Sequence, residues 1–316
     1  MAKNSVEITA GRKRSLDKPT FRKMWGYRQL YLMLLPTIIT FIIFSYGPMY
    51  GIIIAFKDYW ASKGIWGSPW VGLANFRQIF GLAKFWNVFA NTFTINLYRI
   101  IFGFPAPLVF ALLLNEIGSS KYKRTIQTAV YLPHFISWVV ISSIIFALFS
   151  NDGMVNAMLQ IFGVGKVNFL SNTKTFVPLV IISGIWKELG WGTIVYLAAI
   201  AGISPELYEA ALIDGAGRFK RVVYVTIPSL IPTIVVLLIL KLGGIMTGGF
   251  DQIFNLYNPA VYDVGDIINT YVYRIGLSEG HFSLATAIGL FLNLINMFML
   301  ILGNTLSRKI SGSGLY

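Results

Sequence analysis

Six stretches of this chain, at residues 30–56, 91–114, 126–149, 176–200, 228–246 and 282–303, are long and apolar enough to cross a lipid bilayer. No other feature narrows the possible folds so far. A hydrocarbon core about 30 Å thick takes roughly 20 mainly apolar residues in helical form, and every backbone polar group inside it must be satisfied by the protein itself. Strands would have to close into a barrel, and these runs lack the alternating pattern that a barrel needs. The expected fold is therefore an all-α membrane protein with six transmembrane helices. Composition agrees: 55% of the residues are hydrophobic, 12% are charged and the mean hydropathy is +0.65, outside the range of ordinary soluble domains.

The net charge of +13 would suit nucleic acid, but no nucleic-acid module is present and the basic residues cluster beside the apolar runs. Anionic lipid and topology account for them there. One side of the bundle gathers sixteen Lys and Arg: eight in the segment 1–28, then Lys121, Lys123 and Arg124, then Arg218, Lys220 and Arg221, and finally Arg308 and Lys309. The other side holds seven, from Lys57 to Arg274. The positive-inside rule makes the first side cytoplasmic, with both termini on it. The chain then divides into a basic cytoplasmic tail at 1–28, a six-helix domain at 29–306 with a cytoplasmic loop at 201–227, and a cytoplasmic tail at 307–316. The external segments 57–90, 150–175 and 247–281 are aromatic and rich in Gly and Asn, suited to receiving a protein or a ligand. The first apolar run is too long for a signal peptide and has no small-x-small cleavage site, so it stays as a span. Without cysteine there is no disulfide, thiolate metal site or cysteine nucleophile, and His134 and His281 lie too far apart for a zinc motif.

The loop at 201–227 is long for a simple connection and has internal order. Ser204 is placed to cap a helix, Pro205 fits its first position and Glu206 complements its dipole. Tyr208, Ala211 and Leu212 fall on one face, and Gly215 ends the helix. A second short helix starts near Arg218 and leads to Pro228. The expectation is a helix-turn-helix parallel to the cytoplasmic surface, where Ala210 and Ala211 allow close approach and Glu209 and Asp214 offer charge. It suits a groove on another protein. A hairpin lying on lipid would also use Arg218, Lys220 and Arg221, but lipid does not demand Glu-Ala-Ala and Gly at this spacing.

The sequence Glu209-Ala210-Ala211, three residues, Gly215, nine residues and Val225-Thr226-Ile227-Pro228 resembles the EAA motif of permeases in ABC importers. Spacing is kept throughout, with Val225 and Ile227 where the family usually has Ile and Leu. The continuation Leu212-Ile213-Asp214-Gly215-Ala216, the region 25–36, Tyr46-Gly47-Pro48 and Tyr131-Leu132-Pro133 are similar to permeases for oligosaccharides and polysaccharide fragments, the LplB or YteP type. The resemblance covers most of the chain. It implies a type I ABC importer permease fold, in which Glu209, Ala210, Ala211, Asp214, Gly215 and Ala216 form the coupling element that docks on a partner ATPase. It also implies the partners: a second homologous permease, two cytoplasmic ATPase subunits, an extracytoplasmic solute-binding protein and an oligosaccharide substrate, all at a bacterial cytoplasmic membrane.

A P-loop needs Gly, four residues, Gly-Lys and Ser or Thr. Gly163-Val164-Gly165-Lys166 fails because Gln160 and Val167 occupy required positions. ATP and Mg are thus expected in the partner chain, with no cofactor, metal or catalytic residue in this one. For the substrate path the candidates are Trp186, Lys187, Glu188 and Trp191 in the fourth span, with Trp138, Lys241 and Asn293. Charge at mid-membrane is costly unless it faces a cavity or a partner, and tryptophan stacks on sugar rings. Two readings stand for Lys187 and Glu188: they line the path, or they bond to neighbouring helices while the tryptophans pack on lipid. Lys241 and the glycines after it fit a broken span or simple helix packing. Arg99 fits an outward snorkel, Asn293 and Asn296 fit interhelical hydrogen bonds, and His134 a structural role. Asp251, Gln252 and Asn255 face the external binding protein in this reading. Two alternative functions remain. An ATP-independent secondary transporter would use Lys187 and Glu188 as ion-coupling groups. A membrane enzyme lacks a metal cluster and a recognisable nucleophile.

Overall fold

The computed structural model describes residues 26–311. The basic tail expected at 1–28 falls outside the described residues up to residue 25, as does the C-terminal tail from residue 312. Ten helical elements organise the described chain: α1 Arg28–Phe56, α2 Ala83–Asn115, α3 Ser120–Tyr131, α4 Trp138–Phe149, α5 Thr173–Ala201, α6 Pro205–Ile213, α7 Arg218–Gly243, α8 Phe250–Leu256, α9 Ile268–Tyr273 and α10 Phe282–Ser311. Among the described residues the extended structure amounts to one bridge, between Lys57 and Trp70.

Five helical stretches are long and apolar enough to cross a membrane: Arg28–Phe56, Ala83–Asn115, Trp138–Ile161, Arg218–Gly243 and Phe282–Lys309. The sixth is reached when α5 is taken with α6, which follows it at 70°. α5 alone has 29 residues, about 43 Å of helix at 1.5 Å per residue. Contacts divide the chain after Ile52. The first unit has no buried residue over Arg28–Phe41, and its Leu32, Met33 and Phe44 are 72%, 76% and 74% exposed. In water that face would be untenable, whereas lipid tails accept it.

Prolines shape the spans. α-Helix gives way to a π turn at Ile42–Tyr46, Arg99–Gly103 and Val222–Thr226, each ending two residues before Pro48, Pro105 or Pro228. A proline inside a helix has no N–H to donate and its ring presses on the carbonyl a turn earlier. Widening that turn relieves the clash without leaving the helix. In α2 the result is a bond from the Phe104 N–H to the Arg99 carbonyl, 3.1 Å.

The third expected span needs correcting. Residues 126–149 do not form one helix: α3 ends at Tyr131, a 3-10 turn covers Leu132–Phe135, and α4 begins at Trp138 with the Ser137 side chain accepting from the Val140 N–H. Pro133 breaks the ladder, and the crossing segment shifts to Trp138–Ile161. The second short helix expected near Arg218 is not separate either. It runs on through the π turn into α7. At the chain end, α10 continues through Ser311, so Arg308 and Lys309 sit in its last turns rather than in a loose tail.

In the second unit α5 packs along the Pro105–Asn115 half of α2, and α7 along α10. One apolar core joins Phe85 and Val88 of α2 to Ile268, Ile275, Ala287 and Ile288. Another joins Ile95 and Ile141 to Phe176, Val180 and Ile253. The segment after α8 is fixed by Asp266, which is fully buried. Its carboxylate accepts from Thr270 Oγ1 at 2.8 Å and from Arg274 at 2.5 Å, with the Arg274 guanidinium lying 4.8 Å over the Tyr262 ring.

Close approach of α5 to α3 depends on Gly190. A Cβ there would collide with the Val130 carbonyl and the Tyr131 ring, whereas one at Gly289 would meet open space. Gly190→Ala should lower stability by roughly 1–3 kcal/mol while Gly289→Ala stays within about 0.5 kcal/mol. Apparent melting temperatures of the purified chain in detergent check the difference.

Candidate functional site

Two places gather chemistry. The first is a cavity of about 390 Å³ between α2, α4, α5, α7 and α8, inside the size range of small-molecule sites. Arg99, Trp138, Glu188, Lys241 and Gln252 supply its polar and aromatic lining, and Gly184, Gly244, Gly248 and Gly249 open the space between them. Three of the seven expected path residues, Trp138, Glu188 and Lys241, therefore meet here.

The other four do not. Lys187 is buried, 6% exposed, and its ammonium donates to the carbonyls of Pro133, His134 and Ile136 at 3.2, 2.8 and 2.6 Å. They lie where α3 gives way to α4 and the helical ladder is interrupted, although the Pro133 carbonyl also accepts from the Ile136 N–H at 3.2 Å. Lys187 also lies 5.6 Å from the Trp138 ring. It clamps the broken helix, off the cavity lining. Glu188, the next residue, points elsewhere because successive helical side chains diverge. It meets His134 Nδ1 at 3.1 Å, and the His134 ring stacks flat on Trp191 at 4.5 Å. Trp191 thus holds the histidine, off the cavity lining. Trp186 is 47% exposed and Asn293 is exposed on α10, both off the cavity lining. Asn296 does join helices, accepting from the Met246 N–H at 3.1 Å.

Arg99 does not snorkel. The π turn brings its guanidinium inward, where Nη1 donates to Asn96 Oδ1 at 3.2 Å and Nη2 to Gln252 Oε1 at 2.6 Å. Gln252, 2% exposed, is held in turn by the Val180 carbonyl and Ser183 Oγ, at 2.6 and 2.9 Å. Its placement on an external surface is overturned: it is a buried strut of the cavity wall. Asp251 stays exposed, with its carbonyl accepting from Asn255. The guanidinium also lies against Gly249, a left-handed residue at φ +91°, where any Cβ would strike it. Sequence alone places Arg99 as a snorkel and Gln252 on an external face, although a charge inside the 91–114 run is itself the signal of a cavity.

The second place is the loop after α5. The Ala216 N–H bonds to the Ala211 carbonyl at 2.8 Å and the Gly215 N–H to the Leu212 carbonyl at 3.0 Å, with Gly215 at φ +74°. That pair of bonds closes α6 in a Schellman motif, which only glycine enters without strain. Tyr208 and Ala211 are half-buried, and the Tyr208 hydroxyl meets Thr226 Oγ1 at 2.9 Å, tying α6 to the base of α7. Glu206, Leu207, Glu209, Ala210 and Leu212 are exposed, and Ile213 is 87% exposed. Leu212 therefore leaves the face it was expected to share with Tyr208. Ser204 occupies the N-cap position, but its side chain makes no capping bond.

Residues 103–312 match the family described as binding-protein-dependent transport system inner membrane component. The chain is similar to Protein LplB of Bacillus subtilis strain 168, 42% identical over 98% of this chain and 96% of that one. It is 43% identical to the polygalacturonan/rhamnogalacturonan transport system permease protein YteP of the same organism, over 96% and 95%. Among solved structures it resembles a chain of a bacterial ABC transporter involved in the import of the acidic polysaccharide alginate, with TM-score 0.86, 41% identity and coverage of 92% and 99%. A bacterial alginate ABC transporter in complex with an alginate pentasaccharide-bound periplasmic protein gives TM-score 0.87 at 40% identity, covering 94% and 100%.

The clamp reading has a direct consequence. Lys187→Met removes the ammonium from the His134 and Ile136 carbonyls and leaves Pro133 with the Ile136 N–H alone, and should cost about 2 kcal/mol of stability. Trp186→Ala, on an exposed face, should leave the melting profile nearly unchanged. Equal melting of the two variants and the parent chain would remove the clamp.

Proposed function

The chain belongs to the family of binding-protein-dependent transport system inner membrane components, and we propose that it moves oligosaccharides by alternating access under the control of the α6 loop. It is a multi-pass membrane permease subunit of an ABC sugar importer, not an enzyme, and the ATPase is a separate chain. The finer reading has these parts. A solute-binding protein delivers the sugar from outside, a second homologous permease completes the pathway, and two ATPase subunits holding ATP and Mg dock from the cytoplasm. Both termini and the loop face that side, as the distribution of Lys and Arg argues.

One observation carries the coupling role. α6 is a short rigid rod, closed by its glycine cap and turned 70° from α5, with Glu209, Ala210 and the apolar Leu212 and Ile213 facing outward. A rod with small residues and an exposed apolar tip fits a cleft on a partner. The oligosaccharide cargo is supported by the cavity, by YteP's polygalacturonan/rhamnogalacturonan and by the alginate of the solved relatives. Ion-coupled secondary transport loses its best group, because Lys187 is spent on backbone carbonyls.

The test is co-expression with the partner permease and ATPases. Glu209→Lys reverses a charge on the exposed face, and Gly215→Trp puts a bulky side chain at a left-handed position. Both should cut copurifying ATPase and substrate-stimulated hydrolysis about tenfold or more while the permease stays folded. Unchanged association and hydrolysis in both variants would sink the coupling role.

A further inference from the structure

The cavity carries an unbalanced charge. Arg99 and Lys241 line it with a single carboxylate, Glu188, which attracts Lys241 and also meets His134 Nδ1, so two cations face one anion. Among the described residues neither cation stands in an ion pair: the three pairs are His134–Glu188, Lys166–Asp152 and Arg274–Asp266. Arg99 spends its two bonds on the neutral amides of Asn96 and Gln252, and Lys241 makes no hydrogen bond. An unneutralised cation in a membrane-embedded cavity is expensive, and two of them repel each other.

Arg99 is nonetheless held with care. The π turn before Pro105 aims it inward, Gln252 is itself braced by Val180 and Ser183, and the left-handed Gly249 clears room for the guanidinium. A guanidinium fixed on one edge by neutral acceptors keeps its other donors for a planar anion, which it grips in bidentate fashion. Fixing the group beforehand lowers the cost of ligand binding. A neutral sugar needs acceptors and aromatic faces but no pair of positive charges.

Resting on the importer reading above, we infer that this cavity takes a saccharide bearing carboxylates, with Arg99 and Lys241 as the specificity-determining cations. The sugar carboxylate supplies the missing counter-charge during passage. Trp138, on the same wall, offers a ring face to the sugar, and Glu188 disfavours a carboxylate on its own side, which orients the unit.

The experiment measures binding to the detergent-solubilised complex of both permeases and the ATPases, without the binding protein, so that the membrane cavity alone is read. The probes are trigalacturonate and the neutral trigalactoside of the same linkage, which differ in a carboxylate against a hydroxymethyl group. The parent complex should bind the uronide about tenfold tighter or more, the scale of a charge-assisted hydrogen bond. Arg99→Gln and Lys241→Met should each weaken the uronide about tenfold, leave the neutral probe within about twofold, and together abolish the preference. Among the described residues Lys241→Met loses no hydrogen bond, so it decides the matter even if Arg99→Gln folds poorly. Equal affinity of the parent for both probes, no binding of the uronide, or a matched loss for both probes in the variants overturns the inference. A matched loss is the result expected if the partner permease neutralises the cations. The importer reading is judged separately by ATPase copurification, which depends on α6 and not on these two residues.

Discussion

The backbone's need for hydrogen-bond partners in a medium without water governs this molecule. Lipid offers neither donors nor acceptors, so each interruption of a spanning helix must be answered within the protein. At Pro48, Pro105 and Pro228 the answer is local, a π turn that keeps the helix continuous. At Pro133 the helix does break, and the answer comes from another helix: the Lys187 ammonium bonds to three carbonyls at the break. A lysine that sequence alone leaves open as transport machinery is thereby bound to the architecture. Its charge is tolerated in the apolar interior because three aligned carbonyl dipoles and the Trp138 face surround it.

That arrangement sorts the polar residues of α5 by direction. Lys187 faces the break, and Glu188 faces the cavity with its oxygen on His134, whose ring rests on Trp191. A single turn of helix thus supports a neighbouring element and presents a carboxylate to the cavity. Trp186 falls on an exposed face instead, where lipid or another subunit would meet it.

Much of this was legible in the sequence, for physical reasons that differ from case to case. Length and hydropathy identified the spans because burial in lipid requires an unbroken apolar run, and the turn that ends α6 was legible because glycine and spacing dictate it, whereas the Ser204 cap, the face of Leu212 and the separate helix at Arg218 were not. The 70° bend and the Schellman closure follow from Pro205 and Gly215. The third span was misplaced because hydropathy is blind to a proline break that a distant lysine repairs. The cavity wall was harder still. Gln252 lies 153 residues from Arg99, so their bond exists only after folding, and Arg99 alone in an apolar run fits snorkelling as well as it fits a cavity. Asn293, a polar residue within a span, lies on an exposed face off the cavity lining, since direction around a helix is set by packing and not by polarity.

The loop and the cavity are mechanically one object. α5 runs for 29 residues, carries Ile181, Gly184, Ile185, Glu188 and Leu189 along the cavity, and ends beside α6. α7 starts just past the glycine cap and carries Leu240 and Lys241 on the facing wall. Tyr208 and Thr226 pin α6 to the base of α7 through a buried hydroxyl, which ties α6 to the wall that carries Lys241. The connection to α5 is the short Gly202-Ile203-Ser204 turn, with no side-chain cap at Ser204, and the connection to α7 is the closed Schellman turn. The stiffer of the two joints is therefore the one on the α7 side. Under the proposed coupling, displacement of α6 carries the base of α7 with it while α5 hinges. Because Lys241 rides on α7 and Arg99 is braced through Gln252 to α5, that motion changes the spacing of the two cations. A cavity that grips an anion in one state would loosen it in the other, as a transporter must if it is to release what it binds.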